Sequence, residues 1–241
     1  AVAGDGLEQF EVPVLALAKF FGGALLVRYV GRGGVDELAV LAGRQVLGLV
    51  GLLHQGRGAP LHVRAAHDEG YTFYLAPDVE FFYFEQPGPG ERPKPLDEGG
   101  FFDLTMRDAA GDLRKQTIRK LEQMSIPVEY SFHEDAPSQQ EIDLRHTDAL
   151  TMADSVMTFR LVVKEVAASQ GVHATFMPKP LESVQGSGMH LHMSLFRGDD
   201  NAFYDESDGY DLSPTAKAFM AGLLRHAAEI TAVTNQTVNS Y

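Results

Sequence analysis

Cysteine is missing from all 241 residues, and so is tryptophan. Without thiols there is no disulfide framework, no thiolate metal site and no cysteine nucleophile. Such a chain suits a reducing compartment, and a cytoplasmic location is expected. Long apolar runs are missing as well. The nearest approach, residues 12–30, is broken by Pro13, Lys19 and Arg28, short of the roughly 20 apolar residues that a spanning helix needs. A soluble protein with no membrane partner is expected. Positive charge is scarce, with 20 Lys and Arg against 33 Asp and Glu and a formal net charge of −13. That balance excludes general nucleic-acid binding, which needs basic surface to replace counterions. Phosphate ligands stay open, because bound cations invert the local sign. Three sequence motifs are also lacking: the P-loop GxxxxGK[ST], a GxGxxG opening a helix, and GxSxG. A nucleotide, if bound, must be held another way.

What is present is unevenly spread. Residues 1–67 hold 5 acids, 6 Lys or Arg and half of the 24 glycines, leaving 28 acids and 14 bases for residues 68–241. The step divides the chain into a poorly determined segment, 1–67, and a better patterned one, 68–241. In the first, Gly43, Gly48 and Gly51 weaken a helical pattern over 35–53, each by up to about 1 kcal/mol relative to Ala.

From Gly70 the patterning sharpens. Residues 71–76 and 79–85 are aromatic and β-branched, as strands are, and place Asp78 and Glu80 on one face. A Pro/Gly-rich loop, 86–100, comes next. Asp112 is expected to cap a helix to Met124 with Leu113, Ile118, Leu121 and Met124 inward. Residues 128–133 read as a strand ending at His133 and Glu134, and 139–145 as another, with Glu141 and Asp143 on a shared face. Asp148 opens a long helix to about Ser169, with Leu150, Ala153, Met157, Leu161 and Lys164 at helical spacing, and Gly171 stops it. A short strand spans 173–177. The acidic loop 197–211 resembles a calcium loop in composition but lacks EF-hand ligand spacing. Ser213 and Pro214 start a helix that runs to about Ala232, with Phe219, Gly222, Leu223, His226 and Ile230 on its apolar side.

The most informative stretch is 179–194, KPLESVQGSGMHLHMS. A Gly-Ser-Gly turn runs into strict alternation. Period two puts His190, His192 and Ser194 on one strand face and Met189, Leu191, Met193 and Leu195 on the other. Alternation alone describes a half-solvated strand. Acids on several other strands add to it: Asp78, Glu80, Glu134 and Glu141, with Glu129 in phase nearby. Carboxylates gathered on one sheet face repel unless cations separate them. An oxygen-rich set with one imidazole suits Mg²⁺ or Mn²⁺, metals that commonly bridge nucleotide phosphates, so phosphoryl transfer is the expected chemistry. The same carboxylates would also serve a metal-dependent hydrolase.

Several stretches, in order, resemble the catalytic domain of the glutamine synthetase family of ATP-dependent carboxylate–amine ligases. They are Asp78-Val79-Glu80-Phe81-Phe82, the His133-Glu134 to Glu141 pair of strands, Ala149-Leu150-Thr151-Met152-Ala153-Asp154, the Lys179-Pro180 to Ser194 stretch, and Asn235-Gln236 through Asn239-Ser240-Tyr241. The resemblance implies an α+β fold with a curved antiparallel sheet whose carboxylate- and histidine-bearing strands pack against helices. It implies nitrogen metabolism by two steps: glutamate is phosphorylated by ATP to γ-glutamyl phosphate, and ammonia or an amine displaces the phosphate. Glu80, Glu134 and Glu141 are implied ligands of a first Mg²⁺ or Mn²⁺, and Asp78 and His190 of a second. Glu129, His192 and Ser194 would lie along the nucleotide, and Gln185 and Gly186 at the glutamate. A homo-oligomeric ring is implied for the full-length family member.

Departures from the family pattern are Asp78 where many relatives have Glu, Gln185 in place of Asn, and the NQTVNSY ending. They lie closer to the branch that γ-glutamylates amines such as polyamines. The family's remaining arginines and last metal carboxylate lie beyond the NSY motif, so the catalytic domain is expected to be truncated at its C-terminal end. Residues 1–67 do not resemble the family's N-terminal β-grasp domain and read as an unrelated or frame-shifted segment. The alternative function is therefore a catalytically silent member that binds metal or nucleotide, or pairs with full-length subunits.

Overall fold

The computed structural model describes residues 59–105, 109–235 and 237–240, together with the backbone of two short strands, β1 (Phe20–Phe21) and β2 (Ala24–Leu25), which pair with each other. The expected weak helix over 35–53 lies outside the described residues. Helix α1 (Ala59–Asp68) crosses the composition step at residue 67.

The organising element is β3 (Thr72–Glu85), a single strand of 14 residues where the sequence suggests two. Pro77 gives the appearance of a break, since it has no N–H for a ladder. In β3 the N–H of Glu80 points toward Gly188 on one edge and that of Tyr83 toward Ser138 on the other. By this parity the nitrogen of Pro77 faces the second edge. There the partners change from Leu75↔Thr147 to Asp78↔Asp143, leaving residues 76 and 77 unpaired. The proline costs no ladder bond, and the strand continues.

Around β3 the sheet is antiparallel throughout, in the order β4-β5-β3-β8-β9, with β6 and β7 also on β3. Strands β4 (Val128–His133), β5 (Gln139–Leu144), β6 (Thr147–Asp148), β7 (Val172–Thr175), β8 (Met189–Arg197) and β9 (Asp200–Asn201) complete it. Strands β5 and β6 share one edge of β3, and β8 and β7 the other. Odd-numbered residues of β3, such as Phe73, Val79, Phe81 and Tyr83, are buried in the main core. Phe81 meets Phe159 edge-on at 6.1 Å and Phe73 meets Phe219 at 6.0 Å. Each such buried aromatic stabilises the fold by roughly 1.5–3 kcal/mol relative to exposure. The expected apolar face of β8 packs on the same core through Met189, Leu191, Met193 and Leu195.

The helices match the sequence with four differences. Helix α2 (Gly111–Gln123) is capped at Ala110 without a side-chain bond, so Asp112 lies in its first turn rather than at the cap. Met124 sits just past its last turn and is exposed, not inward. Buried Arg114 of α2 ties the helix to the sheet by donating to Ser131 and Gln140. Helix α3 (Ala149–Ser169) begins at Asp148, which accepts the Thr151 N–H as expected. Its buried face carries Met152, Val156, Phe159, Val163 and Val166, however, while Leu150, Met157 and Leu161 are exposed. Both stripes are apolar, so periodicity does not choose between them. Ala149, Ala153 and Ala167 lie among the buried set. The last long helix is two: α4 (Pro214–Arg225), capped by Ser213, and α5 (Ala227–Thr234). His226 stands at the break with φ −105° and ψ 16°. Its expected role as a packed boundary residue agrees with this position.

Candidate metal and substrate site

Directly paired residues of neighbouring strands project to the same face. The register sets Asp78 opposite Asp143 on one side and His190 on the other, and Glu80 opposite Glu141. The even face of β3 is thus acidic over Asp78 and Glu80. Beyond them it turns apolar, where Phe82 and Phe84 stack at 5.6 Å and form a small second core with Ala136, Leu181 and Val184. That apolar end carries the loop leading into β8.

Two groups of donor atoms come together, each with its atoms within 4.8 Å of one another: Asp78, Glu141 and His190, and Glu80, Glu134 and Glu141. The structure therefore gathers all five of the expected metal residues and adds a link between them, since Glu141 belongs to both groups. Glu134 joins from just beyond β4, where its N–H donates to the carbonyl of Gln139 at 2.9 Å.

The electrostatics of this face are unfavourable without a cation. Burial, then the charge of Asp143 and the carboxyls of Glu134 and Glu80, push Glu141 well above the ordinary carboxylate range. Asp143 is also pushed up, by burial and then by Asp78, against opposing pulls from Glu141 and His192. One buried oxygen of Asp143, Oδ1, has no hydrogen-bond partner. Oxygen donors in excess, one imidazole, crowded carboxyls and an orphaned buried oxygen all fit a hard divalent cation such as Mg²⁺ or Mn²⁺.

The residues expected along a nucleotide divide. His192 Nε2 lies 2.8 Å from Asp78 Oδ2, and this bond, opposed by burial, raises its pKa above the ordinary histidine value. Glu129 occupies the β-bulge between Val128 and Tyr130, and its charge reaches both Asp143 and His192. Ser194 lies further along β8, opposite Tyr74, away from both donor groups. Gln185, exposed, donates to Asp135 Oδ2 at 3.2 Å. Gly186 makes a close approach that only glycine permits, since a Cβ there would stand 2.3 Å from the Pro178 carbonyl oxygen.

Four further residues contribute in ways that do not stand out in the sequence. Asp143 shows only as a strand-mate of Glu141; the register with Asp78 is what brings it in. Gln139, buried, donates to Glu80 Oε2 and to the Gly186 carbonyl, both at 2.9 Å. His133 and Asp97 form a buried pair at 2.9 Å, and the other ring nitrogen of His133 lies 2.6 Å from the Glu134 carbonyl. Asp97 also accepts the Ser138 N–H at 2.8 Å and the Gly99 N–H at 3.3 Å. Burial would raise its pKa, but His133 and these N–H groups outweigh it and the net shift is downward. No local pattern could announce a pair whose members stand so far apart in the chain.

An antiparallel sheet with helices on one face and clustered carboxylates and histidine on the other defines an α+β protein of the kind that presents acidic groups from adjacent strands. A model of the glutamine synthetase catalytic domain matches residues 60–241. The chain belongs to the glutamine synthetase family. It is 58% identical over 178 residues to a glutamine synthetase of Mycolicibacterium smegmatis, covering 73% of this chain and 40% of that protein. It is 54% identical over 178 residues to one of Mycobacterium tuberculosis strain H37Rv, with the same coverage. Among solved structures, Plasmodium falciparum glutamine synthetase superposes with a TM-score of 0.68 at 25% identity, over 89% of this chain and 45% of that one. A GmaS/ADP complex gives 0.68 at 32% identity, over 83% and 44%. The chain spans about two fifths of the length of the curated relatives it matches.

Proposed function

We propose that this chain contributes to the catalytic domain of an ATP- and Mg²⁺-dependent ligase forming a γ-glutamyl amide from glutamate and ammonia or an amine. The observation that carries the reading is the pair of donor groups joined through Glu141 on a glutamine synthetase catalytic fold. Glu80, Glu134 and Glu141 would hold one divalent cation, and Asp78 and His190, beside Glu141, a second. When bound, the cations supply positive charge to the transferring phosphoryl group.

In the first step the γ-carboxylate oxygen of glutamate forms a bond to the γ-phosphorus as the bond to ADP oxygen breaks. In the second, the amine nitrogen bonds to the carbonyl carbon, phosphate leaves, and the nitrogen gives up a proton. Gln185 and Gly186 would orient glutamate at the entrance to β8. Glu129, His192 and Ser194 would border the nucleotide, His192 steadied by Asp78. Asp78, where many relatives have Glu, Gln185 in place of Asn, and the NQTVNSY ending together support an amine such as a polyamine as the acceptor. A full-length family member would assemble as a homo-oligomeric ring in the cytoplasm. Among the described residues no helix is long and apolar enough to cross a membrane.

The test is phosphate release with ATP, Mg²⁺, glutamate and a panel of ammonia and amines. Glutamate- and acceptor-dependent release is expected. ATP hydrolysis independent of glutamate would favour a hydrolase. Mn²⁺ binding without turnover of any acceptor would favour a silent family member that pairs with full-length subunits.

A further inference from the structure

Gln139 is buried at the junction of the acidic face and the loop that enters β8, and both ends of its amide are engaged. Oε1 accepts the Ala136 N–H at 3.1 Å, while Nε2 donates to Glu80 Oε2 and to the Gly186 carbonyl, both at 2.9 Å. A flipped amide would set its oxygen against two acceptors and its NH₂ against a donor, so the orientation is fixed by chemistry. Glu80 Oε2 also accepts the Gly188 N–H at 3.0 Å. On its far side the loop is held by the Pro178 carbonyl, which accepts the Ser187 N–H at 2.7 Å. The segment 186–188 is therefore suspended between Pro178 and a Gln139–Glu80 unit.

We infer that Gln139 is a positioning residue that couples cation occupancy at Glu80, Glu134 and Glu141 to the order of the Gly186–Gly188 loop. The inference rests on the proposed reading of that cluster as a cation site and of the loop as the glutamate side. A cation that fixes the Glu80 carboxylate also fixes the acceptor for the Gly188 N–H and the partner of the Gln139 amide. By linkage, an ordered loop must in turn raise the affinity for the cation. A neutral amide suits this place. It donates to a carboxylate without adding charge to a face crowded by Asp78, Glu80, Glu134, Glu141 and Asp143. Glutamate at 139 would turn an acceptor toward Glu80 and toward the Gly186 carbonyl.

The test is amide hydrogen exchange at Gly188 with and without Mg²⁺, together with Mn²⁺ affinity, in the wild type, Gln139→Leu and Gln139→Glu. In the wild type, saturating Mg²⁺ should slow Gly188 exchange. In Gln139→Leu the Mg²⁺ effect on Gly188 should shrink, because only the direct bond from the Gly188 N–H to Glu80 remains, and Mn²⁺ affinity should fall by about 10-fold or more, as when groups supporting metal ligands are lost. Slow exchange at Phe81 and Ile142 in the variant shows that the sheet is intact. If those amides become fast, Gln139→Glu, which keeps the side-chain shape, decides the matter by the same Gly188 readout. Absence of Mg²⁺ and Mn²⁺ binding to the wild type would overturn the cation reading itself, and the coupling with it. Cation binding that leaves wild-type Gly188 exchange unchanged would overturn the coupling alone, as would a folded variant that keeps the full Mg²⁺ effect.

Discussion

At the scale of single residues, Glu141 faces Asp143, Glu134 and Glu80 from a buried position, and its ionisation in the cation-free protein opposes folding. Linkage sets the sign. Its folded pKa lies above the unfolded value of about 4.3, so the folded state binds more protons, and stability declines as pH rises above that value. Glu141→Gln removes this charge while keeping the side-chain shape. It should raise the thermal midpoint of the cation-free protein at pH 8 and lower Mn²⁺ affinity, two opposite changes that calorimetry and a metal titration would read together. A variant that is less stable and binds Mn²⁺ as well as the wild type would contradict the assignment. His133 presents a different case. It sits fully buried against Asp97, and Gly99 has room for no Cβ, which would stand 2.6 Å from the imidazole. Removing His133 leaves the buried Asp97 carboxylate without its ring partner, so His133→Ala should cost about 3–5 kcal/mol in a denaturant titration.

At the scale of elements, what could be read from the sequence depended on whether one local rule governed. The start of α3 was legible because an Asp at position 148 caps only a helix on its C-terminal side, and the β8 faces because alternation there is strict. The buried stripe of α3 was not, because Leu150, Met157 and Leu161 obey the same periodicity as the residues that pack. The continuity of β3 through Pro77 was hidden for another reason. It depends on an interruption of pairing between β5 and β6, which only the assembled sheet creates. The Asp148 cap also gives a pH-dependent prediction. Burial opposes ionisation of its carboxyl, but the Thr151 N–H and neighbouring backbone groups prevail and lower its pKa. A lowered folded pKa confers stability that is present above the unfolded value of about 3.9 and is lost as pH falls through the folded value. Asp148→Ala should therefore cost about 1 kcal/mol at pH 7. That cost should shrink toward zero as unfolding is measured at progressively more acidic pH, from the unfolded value of about 3.9 downward.

At the scale of the molecule, the sheet register does what no single strand can. Asp78 and Glu80 on β3, Glu141 on β5 and His190 on β8 were each legible as polar positions of a strand. Their gathering on one face is expected from the pattern and their two groups are implied by the family resemblance, but the sharing of Glu141 between the groups was not legible, because it needs the pairings Asp78↔His190 and Glu80↔Glu141. The buried Arg114 and the Gln139 amide were equally silent in the sequence, since a buried polar group acquires its role only from partners far along the chain. Cation binding to such a face must displace protons from Glu141 and Asp143, so affinity should rise with pH through the neutral range. The most direct measurement is the stoichiometry of Mn²⁺ binding by electron paramagnetic resonance at pH 7.5, in the wild type and in Glu141→Gln. Two Mn²⁺ per chain are expected in the wild type, one for each donor group, with both weakened by the substitution because Glu141 serves both. Two sites of which only one responds to Glu141→Gln, or no Mn²⁺ bound at all, would contradict the shared-ligand arrangement.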